Sequence, residues 1–173
     1  IYIEAVMHHP ATQKISKKYD FHSTGFLLGY TPGTTEVNYE SGSSRRSLAL
    51  GYKAIKKMDK VKLYMPPIHE EYIKNIYDNI GYDNEVMENP KVLQLCERTE
   101  FTVTQNTYRN VAEIDIDNCG EDFDAAILSE KKRLKLDNFS TILLRINMEN
   151  PKAIYAYEKA LESRFFFTGI LTH

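Results

Sequence analysis

The chain has 173 residues, with 22 basic and 24 acidic side chains, a net charge of −2 and a sequence pI near 6.2. It therefore lacks the excess positive field that nonspecific nucleic-acid binding requires. No apolar run approaches the roughly 18 residues of a membrane span, so we expect a soluble, cytoplasmic protein that binds neither nucleic acid nor membrane. Cys96 and Cys119 could pair, but we interpret both as reduced core thiols.

The first third of the chain alternates between strand and helix patterns. The sequence predicts a strand at 1–6, a helix begun by Pro10 at 10–19 and a second strand at 21–30. A loop rich in Pro, Gly and Ser follows at 31–44, and a return strand at 47–55. Alternation in the return strand places its buried residues at Leu48, Leu50, Tyr52 and Ala54.

The pattern restarts after residue 58. A short strand at 61–65 stops at two prolines. A helix that ends at Gly81 is then predicted at 68–80 from an apolar stripe: Ile68, Tyr72, Ile73, Ile76, Tyr77 and Ile80. The sequence then predicts paired strands at 101–105 and 111–117, a helix at 122–136 and a strand at 141–146.

The last predicted elements repeat the first ones. Asn150 caps a helix begun by Pro151 and ended by Ser163 and Arg164, and Phe165–Phe167 begins a buried strand that meets Gly169. The repeat places these residues of the second copy on their equivalents in the first: Ile142 on Ile1, Met148 on Met7, Pro151 on Pro10 and, after three extra residues, Thr168-Gly169 on Thr24-Gly25. We therefore expect an internal repeat whose period is too long for a solenoid.

Asn150, Ala153, Tyr157, Glu158 and Lys159 form the pattern N-x-x-A-x-x-x-Y-E-K. This pattern resembles the signature of the GNAT superfamily of acyl-CoA-dependent N-acetyltransferases, where it follows the fifth strand and forms the fourth helix. The resemblance implies an α/β fold with a mixed, mainly antiparallel sheet flanked by helices. It also implies acetyl-CoA as cofactor, an amine of a small molecule or protein as acyl acceptor, Asn150 beside the cofactor, and Tyr157 as the acid that protonates the leaving thiolate.

The order of elements resembles one and a half GNAT domains. Residues 1–57 match the C-terminal half of a first unit, and 58–173 match a nearly complete second unit. Because the chain begins inside an apolar strand without an initiator Met, we expect it to be a fragment of a longer protein. The half unit leaves a sheet edge that needs covering, so we expect a dimer or packing against a missing upstream domain.

The stretch between the strand at 111–117 and the following helix departs from the family pattern. A GNAT domain carries Q/R-x-x-G-x-G/A here, because glycines let backbone N–H groups close on the pyrophosphate at a helix N-terminus. This chain has Asn118-Cys119-Gly120-Glu121-Asp122. Gly120 is the remaining cofactor-binding candidate, while the two carboxylates oppose a diphosphate by about 1 to 4 kcal/mol per close pair.

Other residues have a functional and a structural interpretation. Tyr157 could be the acid or an ordinary core tyrosine, and Cys119 a nucleophile or a structural thiol. The acidic side chains of one strand could supply a general base or face solvent: Glu113, Asp115 and Asp117. No metal site is predicted, because the histidines complete no known ligand spacing: His8, His9, His22, His69 and His173. We interpret the loop arginines Arg45 and Arg46 as solvated.

Two hypotheses remain. The chain is an acetyl-CoA-dependent N-acyltransferase-like protein with impaired cofactor binding, or it is a non-catalytic GNAT-like module for regulation or partner binding. The segment His9-Pro10-x-x-Gln13-Lys14, with the tandem arrangement, resembles GNAT-like regions appended to switch-type anti-sigma-factor kinases of bacteria, which favours the regulatory hypothesis.

Overall fold

The structure is a computed structural model that describes residues 1–7, 10–33, 45–56 and 59–171. It is a mixed α/β fold whose strand pairs are mostly antiparallel. The elements, in chain order, are β1 (Tyr2–Val6), α1 (Pro10–Lys18), β2 (His22–Thr31), β3 (Arg46–Tyr52), β4 (Val61–Leu63), a 3₁₀ turn (Pro67–His69), α2 (Glu70–Asn79), β5 (Asn84–Val86), β6 (Glu100–Asn106), β7 (Val111–Asn118), α3 (Phe123–Leu136), β8 (Thr141–Ile146) and α4 (Ala153–Glu162).

The chain forms two compact units that interleave along the sequence. The first consists of Ile1–Asp59, Tyr72–Asp83 and Thr168–His173, and the second of Lys60–Glu71 and Asn84–Phe167. The proposed origin of these units as one and a half copies of one domain stays a prediction.

The first unit contains an antiparallel sheet of three strands in the order β1-β3-β2. Alternation in β3 buries Leu48, Leu50 and Tyr52, as predicted. The strand ends at Tyr52, so Ala54 lies outside it. The hydroxyls of Tyr52 and Tyr82 are 2.5 Å apart in a buried hydrogen bond, which ties the segment after α2 to the sheet.

The second unit contains a two-stranded parallel sheet, β4-β5, and a three-stranded sheet in the order β6-β7-β8. β6 and β7 are antiparallel, whereas β7 and β8 are parallel and are connected through α3. One face of the larger sheet packs on α3 and α4 around Ile114, Phe123, Ile127 and Ala156, each with no exposed surface. This face positions the start of both helices at the end of β7.

Several predicted details are wrong. Phe165–Phe167 is not a strand, and Phe166 is 69% exposed. The apolar stripe predicted for α2 is confirmed at Ile73, Ile76, Tyr77 and Ile80, which are buried. It is wrong at Ile68, which lies in the 3₁₀ turn before the helix, and at Tyr72, and both are exposed.

Arg45 and Arg46 are also not solvated loop residues, because both are partly buried and Arg46 is the first residue of β3. The Arg45 Nε donates a hydrogen bond of 2.6 Å to the Gly29 carbonyl, and burial lowers the pKa of the Arg45 guanidinium. Predictions about His8, His9, His173 and most of the loop at 31–44 fall outside the described residues.

Candidate functional site

The loop between β7 and α3, residues 118–122, is the place where the resemblance predicts a pyrophosphate site. In the structure this loop lies against residues 96–99, which we call the facing segment. Cys96 and Gly120 form a parallel β-bridge between the two. The loop is therefore packed against the chain's own backbone.

The backbone amides of the loop are occupied by the facing segment. The Gly120 N–H donates to Thr99 Oγ1 at 3.1 Å, and the Glu121 N–H donates to the Cys96 carbonyl at 2.9 Å. In return the Asp122 carboxylate accepts the Thr99 N–H at 2.6 Å. A pyrophosphate would need these N–H groups, so it would have to displace the facing segment first.

Gly120 has a steric reason to be glycine that needs no ligand. A Cβ atom at this position would lie 2.3 Å from the Arg98 carbonyl carbon and 2.5 Å from the Thr99 nitrogen. Both are backbone atoms, so no side-chain rotation relieves the overlap. The residue predicted to bind cofactor is thus required by the packing of the facing segment.

Lys152 brings a positive charge to the same loop, and the sequence analysis missed it. Its ammonium group donates to Asn118 Oδ1 at 2.8 Å and to the Cys119 carbonyl at 3.3 Å. This contact spans 34 residues of sequence. A helix-starting lysine carries no pattern that would have revealed this contact.

The predicted start of α4 is wrong: the helix begins at Ala153, its N-cap is Lys152 without a side-chain capping bond, and Asn150 forms the turn just before it. The Asn150 Oδ1 accepts the Lys152 N–H at 2.9 Å, and its carbonyl accepts the Ala153 N–H at 2.9 Å. Both bonds satisfy amides that the start of a helix leaves unpaired. The asparagine of the signature therefore also has a structural role, and it places Lys152 beside the loop.

Tyr157 belongs to an aromatic cluster with His69 and Phe167. The His69 ring stacks on Phe167 at a centroid distance of 4.6 Å and meets the Tyr157 ring edge-on at 5.7 Å. The Tyr157 hydroxyl is buried and has no hydrogen-bond partner among the described residues. Burial raises the pKa of this phenol, so the group keeps its proton at neutral pH.

The structure does not direct Tyr157 toward the loop. Tyr155, two residues earlier, packs edge-on against Phe123 of α3 at a centroid distance of 6.4 Å. Two residues turn an α-helix by about 200°, so Tyr157 points to the opposite side of α4. Lys152 bonds both to Asn150 and to the loop that contains Gly120, through Asn118 and Cys119, whereas Tyr157 lies with the aromatic cluster.

The acidic residues of β7 are only partly solvated. Arg145 on β8 pairs with Glu113, whose side chain is 14% exposed, and its Nη1 lies 3.5 Å from Asp115 Oδ1. The parallel register sets Arg145 directly beside Asp115. Asp117 accepts a hydrogen bond from Thr102 Oγ1 at 2.9 Å. Glu113 is thus held by a cation and is poorly placed to act as a free general base.

Both cysteines are free thiols. Burial raises the pKa of Cys119 to about 11, although the charge of Lys152 acts in the opposite direction. A thiol with so high a pKa is almost entirely protonated at neutral pH, which opposes a nucleophilic role.

Within the described residues, no group of three or more His, Cys, Asp or Glu side chains is arranged to hold a metal ion. None of the described helices is long and apolar enough to span a bilayer. A scan against protein-family models, a search of curated proteins and a search of solved structures each returned no match.

Proposed function

We propose that the second unit is an acyltransferase-like module that binds a partner without using acetyl-CoA. One observation carries the proposal: the loop amides of Gly120 and Glu121 both donate hydrogen bonds to the facing segment. The signature residues Asn150, Ala153 and Tyr157 support the family resemblance, and the turn that Asn150 forms before α4 gives this residue a role without a cofactor.

The energetics favour the closed loop. Opening it would break the two amide bonds and the charge-assisted bond between Thr99 and Asp122. Hydrogen bonds of these kinds contribute about 0.5 to 3 kcal/mol each. A diphosphate would also meet the exposed Glu121 carboxylate. Lys152 offers one compensating charge, but it is already bonded to Asn118 and Cys119.

Thermal unfolding with and without acetyl-CoA or CoA tests this proposal. A ligand at a hundred times its Kd adds about 2.7 kcal/mol, which corresponds to a rise of roughly 5 to 10 °C for a chain of this size. We expect no rise in Tm. A clear rise would mean that the proposal is wrong and that a cofactor site exists.

A charge variant separates the two obstacles to cofactor binding. Glu121→Lys removes the repulsive carboxylate but leaves the Gly120 and Glu121 amides bonded to the facing segment. We expect this variant also to show no rise in Tm with CoA. If the variant binds CoA while the natural chain does not, charge and not amide occupancy is the obstacle.

The enzyme hypothesis remains as a second candidate because of Tyr157. A buried phenol that keeps its proton and has no partner among the described residues is suited to donate a proton to a leaving group. Thiol release from acetyl-CoA in the presence of amine acceptors tests this candidate. The enzyme hypothesis requires that the natural chain show measurable turnover. Tyr157→Phe should abolish this turnover, whereas the matched control Tyr155→Phe should retain it. The absence of turnover by the natural chain would leave the binding-module proposal standing.

A further inference from the structure

The two Thr-Gly segments that the sequence aligns pair with each other. We call 24–26 the edge segment, which lies on β2, and 168–171 the terminal arm. Gly25 and Gly169 form an antiparallel bridge between them. The bridge lies at the edge of the sheet, because β2 is the last strand in the order β1-β3-β2.

The hydrogen bonds of this bridge are reciprocal. The Phe26 N–H donates to the Thr168 carbonyl at 2.8 Å, and the Ile170 N–H donates to the Thr24 carbonyl at 2.8 Å. In each segment the threonine supplies the acceptor, and the residue two positions later supplies the donor. The edge segment and the arm therefore have the same spacing of donor and acceptor, so a second edge segment could make the bonds that the arm makes.

The bridge requires glycine on both sides. A Cβ atom at Gly25 would lie 2.5 Å from the Gly169 Cα, and one at Gly169 would lie 2.2 Å from the Gly25 Cα. The φ angle of Gly169, +141°, is also one that other residues rarely adopt. An approaching strand must carry glycine opposite Gly25, and the edge segment itself meets that requirement.

The arm covers only part of β2. The strand has ten residues, His22–Thr31, whereas the arm bonds at Thr24 and Phe26. Ile170 of the arm is buried, but Phe26 and Leu28 are still 37% and 41% exposed. Exposed apolar side chains on an edge strand are typical of a surface that pairs with another chain.

We propose that the edge segment is a docking edge for a second copy of this chain, and that the terminal arm occupies the edge by imitating that copy. In the paired form, the Phe26 N–H of each chain donates to the Thr24 carbonyl of the other, with the two Gly25 residues face to face. Each chain gives and receives the same bonds, so the pairing is a closed two-fold interface. The β2 strand of the second copy is longer than the arm, so it would also cover the apolar side chains that the arm leaves exposed, Phe26 and Leu28.

Two matched glycine variants test the proposal in the full chain. Gly169→Val displaces the arm and leaves the edge segment intact, whereas Gly25→Val displaces the arm and blocks the edge. We expect sedimentation velocity to show a monomer for the natural chain, a twofold rise in mass for Gly169→Val at high concentration, and a monomer for Gly25→Val and the double variant.

A second pair keeps the test decisive if valine prevents folding. Ile170→Pro removes the donor on the arm, and Phe26→Pro removes the donor on the edge, where an N–H that points away from β3 is not needed by the sheet. We expect a dimer from Ile170→Pro alone. A monomeric Ile170→Pro or Gly169→Val chain, an equal dimer from the natural chain or from the edge variants, or larger oligomers would each overturn the proposal.

Discussion

Replacing Gly120 with alanine would place a methyl group against the backbone of the facing segment. The new Cβ would lie 2.3 Å from the Arg98 carbonyl carbon and 2.6 Å from its oxygen. Such contacts are far inside van der Waals distance, so the facing segment must move away from the loop.

The loss of stability in Gly120→Ala follows from the hydrogen bonds that join the loop at 118–122 to the facing segment. The move weakens the Gly120 to Thr99 bond of 3.1 Å, the Glu121 to Cys96 bond of 2.9 Å and the Thr99 to Asp122 bond of 2.6 Å. The first two join neutral groups, and the third has a charged acceptor. With partial relaxation, we expect Gly120→Ala to lower the free energy of unfolding by about 2 to 4 kcal/mol.

Urea denaturation of the natural chain and the variant measures this difference, provided that the slope with urea is unchanged. Gly81→Ala is the control, because nothing lies within 4 Å of its Cβ position and only its φ of +75° opposes a side chain. That conformation costs an alanine about 1 to 2 kcal/mol. A Gly120→Ala chain as stable as the natural one, with altered CoA binding, would refute the packing role and favour a ligand role.

Three further predictions concern ionisable groups. Burial and the bond to a neighbouring tyrosine raise the pKa of Tyr82 to about 12, so its contribution to stability is complete below pH 10 and is lost as the pH rises toward 12. We expect the urea midpoint to fall over that range. Arg145→Met should lower the free energy of unfolding by about 1 to 3 kcal/mol, because the mostly buried Glu113 loses its cation. Cys119 should not react with iodoacetamide in the folded chain at neutral pH, because it is buried and its pKa is raised to about 11, whereas the less buried Cys96 should react first in a mass-spectrometric assay.

Each of these predictions has a control. Tyr82→Phe should flatten the loss of stability above pH 10, and an unchanged profile would assign that loss to other groups. Lys60→Met removes an exposed pair with Glu85 and should change stability less than Arg145→Met does. Equal labelling of both thiols in the folded chain would contradict the burial of Cys119.

The sequence predicted the elements whose pattern is local and periodic. β7 alternates apolar and acidic residues, and Ala112 and Ile114 are fully buried as that alternation requires. α3 begins and ends within one residue of the predicted bounds. In such elements one buried face repeats along the chain, so the pattern is visible without a partner.

The errors arose where a partner distant in sequence decides the structure. Phe165–Phe167 has the composition of a buried strand, but whether an apolar run becomes a strand depends on an available edge, and the chain pairs only further on, at Gly169. Lys152 and Thr99 contact the candidate loop through side-chain hydrogen bonds that span 34 and 21 residues of sequence. Such bonds leave no periodic signal in a sequence.

The interleaving of the two units limits how the protein can be divided. The chain crosses between them after Asp59, Glu71, Asp83 and Phe167. A cut at the predicted boundary between residues 57 and 58 would separate Tyr82 from the buried tyrosine of β3 and the terminal arm from β2. Neither half would then carry a complete set of its own packing partners. Experiments that shorten the chain should therefore be expected to report on folding before they report on function.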